Sequence, residues 1–132
     1  MKFGVTLNNA LLNQIETTVG TAPKFRFLTG PPEATPATAQ SGTLIAEIAL
    51  PSDWLNAASA EQKTRLGVWA VQAVAAGEVG HFRITNTAGT TCHILGSVTA
   101  TGGGGDLEMP DTVVPLGKWL VVDLFTLLAA NV

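Results

Sequence analysis

The side chains best suited to chemistry in this chain are the soft metal ligands His81, Cys92 and His93. A structural zinc site normally takes four such ligands, and a catalytic site takes three together with water. Cys92 and His93 are adjacent in a segment that alternates like a strand, so they face opposite sides of it. We therefore predict that no metal site forms, that the two histidines are half-exposed and that the thiol is buried.

Glycines and carboxylates between residues 102 and 111 are the next candidates. The glycine run 102–105 could suggest a phosphate-binding loop, but Asp106 and then Leu-Glu-Met-Pro follow it instead of a helix that opens with Lys and Ser or Thr. A wide turn between strands fits better. Asp106, Glu108 and Asp111 could bind calcium through oxygen, yet their spacing does not match an EF-hand loop and Pro110 interrupts it. We interpret them as solvated loop carboxylates.

Nucleophilic catalysis and sugar binding are the remaining chemical possibilities. Nothing in the sequence matches a nucleophile elbow or an ordered catalytic triad, so we predict no enzymatic activity and no cofactor. Trp54, Trp69 and Trp119 could stack on a sugar, and glycan binding would then depend on Trp54 or Trp69. Scattered tryptophans in a β protein without tyrosine are more often core or interface residues.

Charged residues are scarce. Asp, Glu, Lys and Arg make up 13% of the 132 residues, against about 25% in an average soluble domain. A surface so poor in charge is typical of a chain that partner subunits cover. The net charge is −3 and the seven basic residues are scattered, which argues against nucleic-acid binding. The sequence predicts no signal peptide and no membrane span, and the single cysteine fits folding in a reducing cytoplasm.

The elements that position these residues begin with a helix. The length predicts one domain over residues 1–132 that buries a core without a disulfide or a metal. Residues 6–20 predict an amphipathic helix, capped at Thr6 or Asn8 and ended by Gly20. Its predicted buried stripe is Leu7, Ala10, Leu11, Ile15 and Val19. Its predicted polar face, on the opposite side, is Asn8, Asn9, Asn13 and Glu16.

A β body over residues 24–132 follows the helix. The clearest predicted strands are residues 24–29, 43–50, 79–86 and 90–100, the last two joined as a hairpin by a turn at Ala88 and Gly89. Residues 30–42 carry three prolines and no large apolar side chain, which predicts an exposed, extended loop. A loop of that length in a compact domain often contacts a partner.

Three further segments are harder to assign. Residues 52–62 predict a loop with a helical turn around Ser59, and residues 65–74 fit either a helix or a strand, of which we favour the strand. Residues 119–128 predict one closing strand with two apolar faces, as in a strand that is sandwiched centrally or covered by another subunit. With short strands near 107–109 and 112–114, the pattern predicts a mainly β chain: an antiparallel β-sandwich or jelly-roll-like domain with one N-terminal amphipathic helix.

Several stretches resemble a group of small proteins encoded by tailed bacteriophages and prophages. They are Leu7-Asn8-Asn9-Ala10-Leu11-Leu12-Asn13, Gly20-Thr21-Ala22-Pro23-Lys24-Phe25-Arg26-Phe27-Leu28-Thr29-Gly30, Gly42-Thr43-Leu44-Ile45-Ala46-Glu47, Gly80-His81-Phe82-Arg83-Ile84 and residues 89–106. The resemblance covers most of the chain, departs from the family pattern in the C-terminal third, and rests on structural rather than catalytic motifs. It implies a virion structural protein: a capsid decoration or cement protein, or a component of the neck, tail or fibres.

We therefore expect a non-enzymatic virion protein, assembled in the host cytoplasm, that forms a dimer or trimer and binds the phage major capsid protein or other virion proteins. A tail, collar or fibre-attachment protein and a carbohydrate-binding β-sandwich on a host-facing surface are the alternatives. The expected contact elements are the helix, the Pro-rich loop and the closing strand. Their expected contact residues are Leu7, Leu11, Ile15, Pro31, Pro32, Pro36, Trp119, Val121, Phe125 and Leu127.

Overall fold

The computed structural model describes residues 1–129, in which one helix is followed by ten strands. The helix α1 is Val5–Val19, and the strands are β1 Lys24–Thr29, β2 Leu44–Ala49, β3 Gln62–Thr64, β4 Ala70–Gln72, β5 Gly77–Thr85, β6 Cys92–Ala100, β7 Leu107–Met109, β8 Val113–Val114, β9 Trp119–Val121 and β10 Thr126–Leu128. The predicted helix and the four clearest predicted strands are confirmed to within two residues at each end. Residues 130–132, which the prediction includes in the β body, lie outside the described part.

Six strands form the main sheet, in the order β2-β1-β5-β6-β7 with β8 paired to β5. Its pairings are antiparallel except that of β6 with β7, which is parallel. Two smaller sheets pair β3 with β10 and β4 with β9. The Val74 amide donates to the Ile45 carbonyl at 2.8 Å and links the β4–β9 pair to the β2 edge of the main sheet. The chain is therefore mainly β and sandwich-like with one N-terminal helix, as predicted.

Aromatic side chains form the centre of the core. Phe25 on β1 stacks on Phe82 of β5 with ring centroids 5.0 Å apart, and it contacts Trp69 at 5.9 Å and Phe125 at 6.1 Å. Because alternate residues of a strand share a face, Phe27 lies on the same side of β1 as Phe25. The inward positions predicted from the alternation of apolar residues are thus confirmed on both strands, and these rings contribute much of the buried apolar area.

The helix is rotated relative to its predicted orientation. Leu7 and Leu11, predicted to be buried, are 49% and 50% exposed, whereas Asn8, predicted to be polar and outward, is buried. Gly4 occupies the N-cap with no side-chain hydrogen bond, so the predicted caps Thr6 and Asn8 lie inside the helix. At the other end Gly20 follows the helix with a φ of 92°, as expected of a terminating glycine.

Hydrogen bonds from the Asn-rich face explain the rotation. Asn9 accepts from the Glu61 amide at 2.9 Å, and Asn13 accepts from the Lys63 ammonium at 3.0 Å. Glu16 adds a salt bridge to Lys63 at 2.9 Å, and the lysine side chain is 2% exposed. Burial raises the pKa of Glu16, but the Lys63 hydrogen bond and charge outweigh this and lower it. These polar contacts dock the Asn-rich face against β3. Val19 is buried as predicted and Ile15 packs against the core, so only the N-terminal half of the predicted apolar stripe is turned to solvent.

The segment 52–62 differs from its predicted form, whereas the segment 65–74 agrees with the favoured strand interpretation. No helical turn forms at Ser59, because Ser59 bridges Gln62 across a tight turn in which Ala60 and Glu61 have φ values of 50° and 63°. The segment 65–74 contains β4 and no helix, so the strand interpretation is confirmed over Ala70–Gln72. Gly67, with a φ of 79°, lies in the irregular backbone before that strand.

The closing segment 119–128 forms two short strands instead of the predicted single strand. β9 and β10 pair with different strands, β4 and β3, and residues 122–125 connect them. Leu120 and Val122 are buried, whereas Trp119 and Val121 are 61% and 53% exposed. β9 therefore has one buried and one exposed apolar face.

Candidate interaction surfaces

The loop 30–42 covers a polar face of the main sheet instead of extending freely into solvent. On β5, Phe82 and Ile84 point to the core, so His81, Arg83 and Thr85 point to the other face. These three polar residues are nevertheless buried, and His81 completely so. The prediction that both histidines are half-exposed is therefore wrong for His81, because the loop covers it.

Arg83 attaches this loop to β5. Its Nη2 donates to the Pro36 carbonyl at 3.0 Å and to the Thr38 carbonyl at 3.2 Å, and its Nη1 also donates to Thr38 at 3.2 Å. Nη1 lies 3.1 Å from Oε1 of Glu33. A guanidinium is a rigid fork of charged donors, so these bonds fix the middle of the loop in one position. We call residues 30–42 the clamped loop.

Both ends of the clamped loop are fixed as well. The His81 Nδ1 donates to the Gly30 carbonyl at 2.9 Å, and the Thr43 amide donates to Thr29 Oγ1 at 2.8 Å. A Cβ at Gly80 would collide with the Gly30 carbonyl, so glycine is needed for this close approach. The Pro-rich surface is therefore an ordered ridge.

Glu33 compensates the buried charge of Arg83. Its side chain is 3% exposed, its Oε1 accepts from the Ser41 amide at 2.6 Å, and its Oε2 lies 3.4 Å from His81 Nε2. Burial raises the pKa of Glu33, but the Ser41 hydrogen bond and the His81 and Arg83 charges outweigh it and lower the pKa to about 2. The carboxylate is therefore ionised at neutral pH and pairs with the buried Arg83 guanidinium.

A groove of about 560 Å³ opens between the clamped loop and the turn of the β5–β6 hairpin, and Arg26, Arg83 and Cys92 lie in its lining. Arg26 donates to Glu47 at 2.7 Å, so both guanidinium groups already have carboxylate partners. The Cys92 thiol donates to the Ile94 carbonyl at 3.3 Å, and burial raises its pKa. A thiol held in its protonated form is a poor nucleophile.

The predicted carboxylate and glycine candidates stabilise turns. Glu108 accepts from the Gly102 and Gly104 amides at 3.2 and 3.0 Å, which makes the glycine run the wide turn that the sequence favours. Asp106 and Asp111 accept backbone amides from β6 and β8 respectively. Across residues 1–129, no group of three or more His, Cys, Asp or Glu side chains is placed to hold a metal ion.

The tryptophans divide into two classes. Trp54 and Trp69 are fully buried, with ring centroids 6.0 Å apart, and their indole N–H groups donate to the Gly20 and Leu66 carbonyls. A buried indole cannot stack on a sugar, so the hypothesis of glycan binding through Trp54 or Trp69 is wrong. Trp119 is exposed and lines a groove between β7 and β9.

The outer face of α1 carries no charge. Leu7, Leu11, Gln14 and Thr18 are all exposed and follow the 4-3-4 spacing of a contact stripe. The one charged residue of α1, Glu16, is turned inward to the Lys63 salt bridge. An apolar groove of about 400 Å³ continues this face, lined by Leu11, Gln14, Ile15, Thr18, Val19, His93, Ile94 and Leu127. Surface helices normally present charged residues to water, so this face is typical of a covered one.

A second groove, of about 510 Å³, lies between β7 and β9, and we call it the β7–β9 groove. Trp119, Val121 and Leu124 contribute to its walls, and Leu107 and Leu120 also line it. Leu124 is 76% exposed. An apolar groove of this kind is typical of a site that another chain covers.

The structure places the expected contact residues in three ways. Pro31, Pro32 and Pro36 are exposed on the clamped loop. Ile15 and Leu127 are half-buried against the core. Leu7, Leu11, Trp119 and Val121 are exposed on α1 and β9. The assignment of Phe125 needs correction: it is 7% exposed and packs inside the aromatic core, so its ring is not on the contact surface.

Sequence reasoning missed the pairing of Glu33 with Arg83. Two signals were present. Arg83 lies on a strand between Phe82 and Ile84, which point inward, and Glu33 is the only charged residue in the Pro-rich loop 30–42. Neither signal specifies the other, because the two residues are separated by 50 positions and meet only through the loop's path over the sheet.

No helix among residues 1–129 combines the length and the apolar character needed to cross a membrane. The clamped loop, the outer face of α1 and the β7–β9 groove are the candidate interaction surfaces among the described residues. Comparisons of the chain with family models, with curated proteins and with solved structures found no match.

Proposed function

We propose that this chain is a non-enzymatic structural subunit of a bacteriophage particle, a capsid decoration or cement protein that binds copies of itself and the major capsid protein. Its work is mechanical: it buries apolar surface across the joints between subunits, so that many copies resist expansion of the shell by the packaged genome. Apolar burial contributes about 25 cal/mol per Å² and does not depend on charge.

The observation that carries this proposal is the pair of separate apolar surfaces. The outer face of α1, with its groove, and the β7–β9 groove have no lining residue in common. One chain can therefore contact two different neighbours at once, as a subunit of a continuous layer must. Stable interfaces bury about 800 Å² per partner and are depleted of charge at their centre, as is the uncharged outer face of α1.

The phage assignment is supported by the resemblance of sequence stretches. Two of them, residues 20–30 and 80–84, supply β1, the Gly30 end of the clamped loop, and the His81 and Arg83 side chains that fix it. The residues that carry the likeness are thus the ones that build the ordered ridge and the sheet beneath it.

Particles made with and without this chain test the proposal. We expect particles that lack it to lose at least tenfold more infectivity on heating than complete particles, and to regain resistance when purified chain is added. Gold-labelled chain should decorate the head; a label confined to the neck or tail would favour the tail, collar or fibre-attachment alternative. Equal heat resistance with no bound chain would contradict the proposal.

A further inference from the structure

The β7–β9 groove is bordered on one side by the free edge of β9. The Lys118 carbonyl and the Val122 amide, on either side of this strand, bond toward β4 at 2.8 and 2.9 Å. Hydrogen-bonded and non-hydrogen-bonded pairs alternate along an antiparallel ladder, so Trp119 and Val121 direct their N–H and C=O groups away from β4. Among residues 1–129, β9 pairs with β4 alone.

The other border is the free edge of β7. The Thr101 amide donates to the Met109 carbonyl at 2.9 Å, toward β6. Glu108, one residue earlier, therefore directs its backbone groups to the opposite side, where the groove lies. In the described chain β7 pairs with β6 and with no other strand. Two strand edges with unpaired backbone groups thus face one groove, which is the arrangement that accepts an added strand.

The lining of the groove specifies the chemistry of that strand. Buried Phe27, Leu107 and Leu120 line its inner part, so the side chains that point inward must be apolar. Three carboxylates and one ammonium also line it: Glu108, Asp111, Asp123 and Lys118. The excess of negative charge favours a basic side chain on the outward side of the inserted strand.

We propose that residues 1–4 of a second copy occupy the β7–β9 groove as an added strand. The segment lies outside any helix or strand, Gly4 has extended backbone with a φ of −75° and a ψ of 158°, and Met1 is 95% exposed. Apolar Met1 and Phe3 alternate with basic Lys2, which matches the inner wall and the acidic rim. These residues are enough to pair along the three-residue edges of β7 and β9. This inference rests on the proposed function and gives the contact between copies a definite form.

Hydrogen exchange and two variants test the added strand. From 1 to 100 μM, the wild-type amides of Trp119, Val121 and Glu108 should become protected from exchange together with those of residues 2–4. Val121→Pro removes an N–H that points away from β4 and should weaken self-association at least tenfold. Phe3→Asp should do the same from the other side of the contact. Leu116→Asp changes an exposed side chain outside the groove, so this control should associate within twofold of wild type.

Three outcomes would overturn the inference: a folded Val121→Pro chain that associates as tightly as wild type, unchanged exchange at Trp119 and Val121 on association, or a wild type that stays monomeric at 100 μM. Protection of β9 without protection of residues 2–4 would assign the groove to another occupant and also refute it. If particles bind the Val121→Pro variant at full occupancy, the added strand is refuted and the proposed function is not. If particles bind neither the wild type nor the variant, the proposed function is refuted.

Discussion

Replacing Arg83 with methionine is expected to lower the free energy of unfolding by about 3–5 kcal/mol, because it leaves the Glu33 carboxylate buried without its cation. Arg83 is 5% exposed and holds two loop carbonyls as well as Glu33. The middle of the clamped loop should detach, so that its backbone becomes sensitive to protease while the core remains folded. Urea unfolding measures the first effect, and limited proteolysis of residues 34–40 measures the second.

Two variants separate the buried pair from a general loss of charge. The double variant Glu33→Gln with Arg83→Met removes both charges and should recover at least half of the lost stability, since no charge remains buried alone. Arg65→Met removes a half-buried arginine whose guanidinium donates to the Asp123 and Gly67 carbonyls. It should cost less than about 1 kcal/mol. A cost for Arg83→Met no larger than that for Arg65→Met would contradict the clamp.

Acidification from pH 5 to pH 2 is expected to remove about 3 kcal/mol of stability through Glu33 alone. The pKa of Glu33 lies near 2 in the folded chain against an ordinary value of 4.5, so the unfolded chain binds the proton more readily. The stabilisation is therefore complete above pH 4.5 and is lost as the pH falls toward 2, at about 1.4 kcal/mol for each pKa unit. Urea unfolding at half-unit pH intervals measures this slope.

Glu33→Gln is the control for this pH dependence, because it keeps the size of the side chain and cannot ionise. Other carboxylates with a lowered pKa, Glu16 and Glu47, remain in the variant and give a shared background slope. The difference between wild type and variant should therefore shrink by about 3 kcal/mol between pH 5 and pH 2. A constant difference across that range would show that the charge of Glu33 contributes nothing to the fold.

Local patterns predicted the strands well. Phe25 and Phe27, and Phe82 and Ile84, alternate clearly enough to identify β1, β5 and their buried faces, and Gly89, with a φ of 73°, marks the hairpin turn. These features depend on neighbours within a few residues, and the sequence displays those directly.

Features that depend on distant partners were not predictable in the same way. The N-terminal half of α1 differs from its predicted orientation because Asn9 and Asn13 bond to Glu61 and Lys63, some fifty residues away, and the apolar pattern of the helix does not indicate those partners. The closing segment divides into β9 and β10 because its two halves pair with different strands, β4 and β3, in separate sheets. The exposed candidate surfaces follow from these same long-range contacts, since it is the docking of the Asn face that turns Leu7 outward.

An image of the intact particle at a resolution that shows secondary structure tests the central claim most directly. It should show ordered copies of this chain on the capsid surface, with the outer face of α1 and the β7–β9 groove each covered by a neighbouring chain. Bound copies whose two apolar surfaces are open to solvent, or complete particles that contain no copy at all, would contradict it.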